Sequence, residues 1–554
     1  MDTRRLILFF IFSFSLVMLW DAWQKQHAKP AVAVVGQSPA RDAGVPQPTI
    51  PLQVPAMPSA VPGVPAAPVA APAAAASKLV VKTDVLLAEI VSEGGDLRFV
   101  EFLQHKDTMD KNRNFVLLGE HSYFAQTGLL AQGIELPTHK TAFILPAGVF
   151  ELKAGEAKVS VRLEAVQNGI KVAKIYTFTR GSYAIDVSYE VTNGGNVPIA
   201  PSVYLQLLRD GKAPAGDSKF LQTYTGPVFY TEADKFHKQD FSDIDKAKAV
   251  PVKPSPDGWV GMIQHYFAAA WLPQGNAKRE FYSKKVADNL YSAGVIVPMG
   301  TIAAGTAGAM AAKLYVGPQD QDRLKELAPG LDLVVDYGWL TIIAQPMFLL
   351  LKWLHSVLGN WGLAIIALTV IIKGAFFPLS AASYKSMARM KKVTPRLTQL
   401  RERYGSDRAK MNQAMMELYK EEKINPLGGC LPIVIQIPVF IALYWVLLAT
   451  VEMRHAPFYG WITDLSAQDP WYILPVIMAV SMFIQTKMNP TPPDPIQAKM
   501  MLIMPVVFSV FFFFFPAGLV LYWVVNNILS IAQQWQISRM IETGQDPDKK
   551  KKKA

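Results

Sequence analysis

The stretch LTVIIKGAFFPLS, residues 368–380, decides how the second half of this chain is read. It closes an apolar run, 361–379, about as long as a helix must be to cross the hydrocarbon core of a bilayer. Lys373 sits inside that run, six residues before its end and so about 9 Å along a helix from it. A charge there is expensive. Two readings stand side by side: the ammonium snorkels to the headgroups, as lysines near helix ends do, or it faces a wet cavity between helices.

Outward from this point the chain divides by composition. Of 554 residues 51% are hydrophobic, concentrated at the start and after Gly338, which indicates an integral membrane protein rather than a soluble enzyme. The net charge of +11 is focal: 380–425 hold eleven Lys or Arg against five Asp or Glu, and 549–553 are five lysines. Those two segments carry the whole excess, a pattern that suits a positive-inside membrane protein or an RNA contact. Cys430 is the only cysteine, which excludes an intrachain disulfide and argues against a cysteine metal site. The sequence has no GxxxxGK loop, dinucleotide fingerprint, HExxH or nucleophile elbow, so neither ATP-driven work nor hydrolysis is expected of it.

Arg4 and Arg5 precede a fifteen-residue apolar segment, so 1–27 reads as a signal peptide or a signal anchor. AVAVVG just downstream leaves cleavage open, and the topology below takes the segment as an uncleaved transmembrane helix. Residues 28–77, with eleven prolines and only Lys29, Arg41 and Asp42 charged, form an extended periplasmic tether. From 78 to 320 the texture becomes short alternating runs. KVSVRLEAVQNGIKVAKIYTF places strand alternation on both sides of Asn168-Gly169, a hairpin pattern. One all-β domain, a sandwich outside the membrane, is expected there. Tyr224, Phe229, Tyr230, Trp259, Tyr266 and Trp271 belong to its core or rim rather than to a sugar platform.

Residues 321–360 are a linker and a helix whose polar Thr341, Gln345, Lys352, His355 and Ser356 fall within an arc of about 100°. That describes an amphipathic helix on the outer interface, and it leaves 361–379 as transmembrane helix 2. A basic cytoplasmic hairpin, 380–425, turns at 404–407. Residues 426–450 cross outwards, and 451–470 form an outer loop with Glu452, Asp464 and Asp469 against Arg454. Residues 471–488 return, 489–499 turn inside, and Pro516-Ala517-Gly518 splits the rest into helices 500–515 and 517–538 before a basic tail, 539–554. The sum is an α-helical polytopic membrane protein with six spans and both termini inside.

Polar companions favour the wet reading of Lys373. Thr369 lies one turn before it, Gln436 in the third span, Ser509 in the fifth, and Asn526 and Asn527 in the sixth. Any one alone is an interhelical hydrogen bond; several around a cation, with no carboxylate in spans two to six, describe a hydrated groove of positive potential. In the hairpin, Met387, Met390, Met411, Met415 and Met416 either pack two helices or offer an adaptable apolar surface.

NPLGGCLPIVIQIPVFIALYW (425–445), PFYGWITDLSAQDPWYILP (457–475), FPAGLVLYWVVNN (515–527), VDYGWL (335–340) and MARMKKVTPRLTQLRERYG (387–405) resemble the YidC family of membrane protein insertases. The likeness runs through the whole chain in order, as in Gram-negative members with a large periplasmic domain. It implies a periplasmic β-supersandwich and a five-helix insertase core in the bacterial inner membrane. It also implies a chaperone and insertase without enzymatic chemistry, cofactor or metal. Its groove opens to cytoplasm and lipid and holds one positive residue, an arginine in better-known members. The matching position here is Lys373, so point-charge attraction replaces a bidentate fork.

On that resemblance Thr369, Gln436, Ser509, Asn526 and Asn527 are groove polar residues. Tyr522 and Trp523 are its aromatic contacts, where the family has two tyrosines. Val434, Ile437, Pro438, Phe508, Phe511 and Phe512 form the slide for a passing apolar helix. Arg389, Lys391, Lys392, Arg396, Arg401, Arg403, Met387 and Met390 are hairpin contacts. The partners implied are nascent membrane proteins, the Sec translocon with its accessory subunits, the ribosome, the signal recognition particle receptor and the lipid bilayer, but not DNA. Two rivals remain: a channel or transporter, and a membrane-anchored carbohydrate-active domain, since supersandwiches resemble sugar mutarotases.

Overall fold

The computed structural model describes residues 44–46, 77–215, 223–404, 407–422, 431–489 and 495–543, without the side chains of 401, 408, 431–435, 495–498, 506, 508 and 542. The expected anchor 1–27, nearly all of the tether and the lysine tail lie outside the described residues. The described chain forms two compact units that divide after Val334.

Alternation builds the first unit. Strands Lys158–Gln167 and Ile170–Thr179 pair antiparallel with Gln167 opposite Ile170. The two residues between them, Asn168 and Gly169, have φ of 51° and 76°. Those left-handed values give the primed turn whose twist matches a two-stranded ribbon. Val161, Leu163 and Ala165 on alternate positions are buried. This hairpin ends an eight-stranded sheet, and the unit's other sheet has nine strands. Strand Ser202–Asp210, between Phe124–Leu130 and Leu290–Pro298 in the latter, is buried on both faces for most of its length. The sheets are tied by Trp271, which donates to the Gln206 carbonyl at 3.1 Å, and by the Tyr123 hydroxyl, 2.6 Å from the Met262 carbonyl. Phe229, Tyr230, Trp259, Tyr266 and Trp271 are all buried, so these aromatics form the core of an all-β sandwich. Two short helices, α1 (Phe241–Asp245) and α2 (Gln321–Leu327), interrupt and follow the strands.

The same core contains a buried charge pair. Lys174 Nζ donates to the Gly94 carbonyl at 2.6 Å and lies 3.5 Å from Asp96 Oδ1, both side chains being fully buried. Loss of water pushes the Asp96 carboxyl up to about 6 and the Lys174 ammonium down to about 8.

In the second unit, α3 (Thr341–Leu358) buries Ala344, Met347, Phe348, Leu351 and Leu354 and leaves Ile342, Leu349, Trp353 and Val357 exposed. Its end is a corner made by two residues. Gly359, at φ 67°, donates its N–H to the His355 carbonyl, and the Asn360 side chain accepts from Leu363 N at the start of α4 (Trp361–Ala375).

One expectation is corrected here. Residues 361–379 are not one helix: α4 stops at Ala375, and α5 (Phe377–Tyr404) leaves at a bend of 67°. Pro378 is the cause, because it has no N–H for the Gly374 carbonyl and its ring crowds that turn. Among the described residues, Gly338–Leu358 is the one helix long and apolar enough to cross by itself. With 15 residues α4 rises only about 22 Å, short of the roughly 30 Å of hydrocarbon.

The hairpin continues through α6 (Arg408–Glu421), which Asp407 caps by accepting from Ala409 N and Lys410 N at 3.1 Å each. Val393, Leu397 and Leu418 form its core, with Met390 and Met415 packed against them. Helices α7 (Leu431–Ala449), α8 (Ile473–Met488), α9 (Pro495–Phe512) and α10 (Ala517–Glu542) complete the unit. Residues 495–499, expected in a loop, are already helical, and α10 outruns its expected end at 538. α10 packs on α4, α5 and α8, while α3 packs on α4 and α7.

The loop between α7 and α8 is tied internally. Asp464 accepts from His455 Nδ1 at 2.8 Å and from the Ser466 hydroxyl at 2.7 Å, and Asp469 accepts from Trp461 Nε1 and Leu474 N. Burial opposes ionisation of Asp464, but these donors outweigh it and hold its carboxyl below the usual range. The loop also bonds to the start of α10 through backbone, Gly518 N to the Leu465 carbonyl at 2.9 Å and Ala517 N to that of Ala467 at 2.7 Å, and the Gln468 side chain donates to the Phe514 carbonyl at 3.4 Å.

Candidate functional site

The bend after α4 positions the site. It leaves Lys373 in the last turn of α4 while α5 turns away, carrying Ser380, Ser383, Tyr384 and Met387 to the wall of a cavity of about 360 Å³. Gln436, Ile437 and Phe440 of α7 form a second wall, Met478 to Asn489 of α8 a third, and Tyr522 to Ser530 of α10 the back. Among the described residues no carboxylate lines it.

A hydrogen-bonded row crosses three helices. Lys373 Nζ donates to Ser530 Oγ at 2.7 Å, and Ser530 Oγ donates to the Asn526 carbonyl at 2.7 Å. The Asn526 side chain accepts from Gln436 Nε2 at 2.8 Å. Asn527, a hundred degrees around α10, turns to α8 instead and donates to Ser481 Oγ at 3.3 Å. Lys373 therefore reaches a polar wall inside the unit, and this geometry is not the snorkelling alternative. Aromatic rings close the cavity beside that row: Phe440 lies 4.4 Å from Trp523 and stacks with Tyr522.

Eight of the residues expected from sequence meet here: Lys373, Gln436, Ile437, Asn526, Asn527, Tyr522, Trp523 and Met387. Others do not. Thr369 is 1% exposed and gives its proton to the Ile365 carbonyl at 2.7 Å, while Ser509 does the same with Pro505 at 2.5 Å. Neither residue lines the cavity, and each hydroxyl proton is spent on its own helix. Among the slide residues, Phe511 is 53% exposed and Phe512 only 8%, because neighbours on a helix face different ways. Phe512 packs on Trp523 and Phe515. Ile437 is exposed and Pro438 partly buried; the side chains of Val434 and Phe508 lie outside the described set.

The hairpin residues also separate. Lys392 donates to the Ile541 carbonyl at the end of α10, Arg396 pairs with Glu422 at 2.7 Å, and Arg403 lies over the Tyr404 ring. Lys391 is exposed, Arg389 partly buried, and the Arg401 side chain is outside the described set. Sequence reading missed Ser380, Ser383, Ser530, Gln485, Thr486 and Asn489, all on the cavity wall. Their spacing from Lys373 in sequence carries no sign of this. A small hydroxyl in a helix reads the same whether it faces a neighbour, its own backbone or water.

The sequence matches the family model described as YidC periplasmic domain over residues 78–350, and that described as 60Kd inner membrane protein over 353–545. The membrane protein insertase YidC of Aromatoleum aromaticum is 58% identical over 548 residues, 98% of each chain. That of Dechloromonas aromatica is 56% identical over 547 residues, again 98% of each. A solved structure titled as an active YidC insertase with its first transmembrane domain resolved overlays with a TM-score of 0.38 at 20% identity, over 82% of this chain and 91% of that one. Two family models in sequence order, and relatives more than half identical from end to end, make this chain a member of the YidC family of membrane protein insertases.

Proposed function

We propose that this chain inserts proteins into the bacterial inner membrane, alone and together with the Sec translocon, and that the cavity beside Lys373 is where a passing polar segment is held. One observation carries this reading: a lysine ammonium stands at the wall of a cavity lined by several polar side chains and, among the described residues, by no carboxylate. Such a site lowers the energy of a hydrophilic, preferably acidic, tail on its way across. It does so by supplying hydrogen bonds and positive potential where lipid supplies neither.

The driving force is partition. At about −0.3 to −0.6 kcal/mol per strongly apolar residue, a span of about 20 residues supplies several kcal/mol, enough to offset a short polar tail. Ile437 and the exposed face of α9 with Phe511 would guide the apolar helix into lipid, and the cavity would take only the tail. In this reading α4, α7, α8, α9 and α10 cross the membrane behind the N-terminal anchor, with both termini cytoplasmic and α3 along the outer interface. The basic hairpin α5–α6 receives the ribosome, the signal recognition particle receptor or the nascent chain.

The test uses liposomes containing only this protein, during translation of a small single-span substrate with an acidic tail. The tail should become protected from external protease above the level in empty liposomes. No protection would sink the claim that the chain acts alone. Lys373→Glu should depress insertion of acidic-tailed substrates several-fold more than of neutral-tailed ones; an equal loss would remove the charge-attraction part.

A further inference from the structure

Resting on that reading, we infer that Ser530 is the positioning residue of the groove cation, fixing where the Lys373 ammonium stands and leaving two of its three N–H bonds for the passing chain. A serine hydroxyl has one proton and two acceptor sites. The Ser530 proton goes to the Asn526 carbonyl, one turn back on the same helix, at 2.7 Å. Its oxygen can therefore only accept from Lys373, at 2.7 Å. With its proton committed and only 3% of the residue exposed, the hydroxyl cannot rotate away to water.

The lysine needs such a holder. A guanidinium presents a rigid planar fork that orients itself, whereas an ammonium on a four-carbon stem is a compact charge with rotatable donors. Unheld, the stem of Lys373 would sample the cavity and the headgroup level beyond it. Ser530 ends that choice, and the carbonyl it leans on belongs to the residue whose side chain holds Gln436. Cation, hydroxyl and amide thus form one fixed row across α4, α10 and α7. Among the described residues, nothing else takes a hydrogen bond from Lys373.

The experiment compares acidic-tailed and neutral-tailed versions of one single-span substrate in the same liposomes and reads the ratio of protected tails. Ser530→Ala should lower that ratio roughly tenfold or more, as expected for losing one hydrogen bond to a charged group. Ser530→Thr should retain it. In a Lys373→Met background Ser530→Ala should change the ratio no further, because the group it positions is gone. Should Ser530→Ala be recovered poorly, Ser530→Cys, a much weaker hydrogen-bonding group, replaces it. A fall in both substrates alike, or a loss that persists in the Lys373→Met background, would show that Ser530 only packs helices. An unchanged ratio in Ser530→Ala beside a collapsed one in Lys373→Met would overturn the positioning role and leave the groove reading standing. An unchanged ratio in Lys373→Met would overturn both.

Discussion

At the scale of residues, two lysines stand in opposite surroundings. Lys373 faces a cavity that no carboxylate among the described residues lines, whereas Lys174 and Asp96 are sealed together in the β-sandwich core. The sealed pair makes a pH prediction. Because the folded Asp96 titrates near 6 rather than 3.8, the folded state holds that proton more tightly, and stability falls as pH rises through this window. Because the folded Lys174 titrates near 8 rather than 10.5, stability rises again between those values. Denaturant midpoints of residues 77–334, followed by pulse proteolysis of the full chain, should therefore show a shallow trough between about pH 6 and 8. A flat profile would refute it. Asp96→Asn or Lys174→Met alone should cost about 3–5 kcal/mol by stranding one buried charge, and the double variant should recover most of that and flatten the profile. Neither partner was legible in sequence, for Lys174 lies on a strand where alternation admits an outward lysine. Lys373 was legible because a lone charge in an apolar run has no ordinary place to go.

At the scale of elements, legibility followed the strength of the local rule. Asn168-Gly169 specifies its turn by backbone conformation, and Gly359-Asn360 ends one helix and caps the next. The bend at Phe376 was also written in the sequence, as Pro378, yet the apolar run concealed it by continuing to Leu379. The described slide residues scatter, with Ile437 on the cavity wall, Phe511 exposed and Phe512 packed inward, since apolar composition does not say which way a residue faces. One contact shows how far tertiary packing sets a residue choice. A Cβ on Gly362 would come within 2.0 Å of the Phe458 ring, so the close approach of α4 to the α7–α8 loop at this point requires a glycine. Gly362→Ala should destabilise the helical unit by about 1–3 kcal/mol, seen as a lower melting temperature in detergent. An unchanged melt would mean that the loop yields.

At the scale of the whole molecule, two units of different build share one chain, and the family resemblance read from the helical segments extends to both. Composition separated them, because strand alternation and long apolar runs are the coarsest patterns a sequence carries. The backbone bonds that join Gly518 and Ala517 to the loop carbonyls of Leu465 and Ala467 have a consequence in electrical terms. Lys373 and most cavity-lining residues lie farther along the helices from this end, so on the proposed reading a membrane voltage would fall across the stitched end while Lys373 shared the cytoplasmic potential. Moving one charge through 100 mV is worth about 2.3 kcal/mol, so a leak here would discharge the field that the cell lives on. Planar bilayers loaded with this protein should accordingly keep the conductance of bare lipid under an applied voltage, and steady current would identify a channel instead. A seam made mostly of main-chain amides insulates with little call on side chains, which leaves most residues around it free to vary while the membrane stays charged.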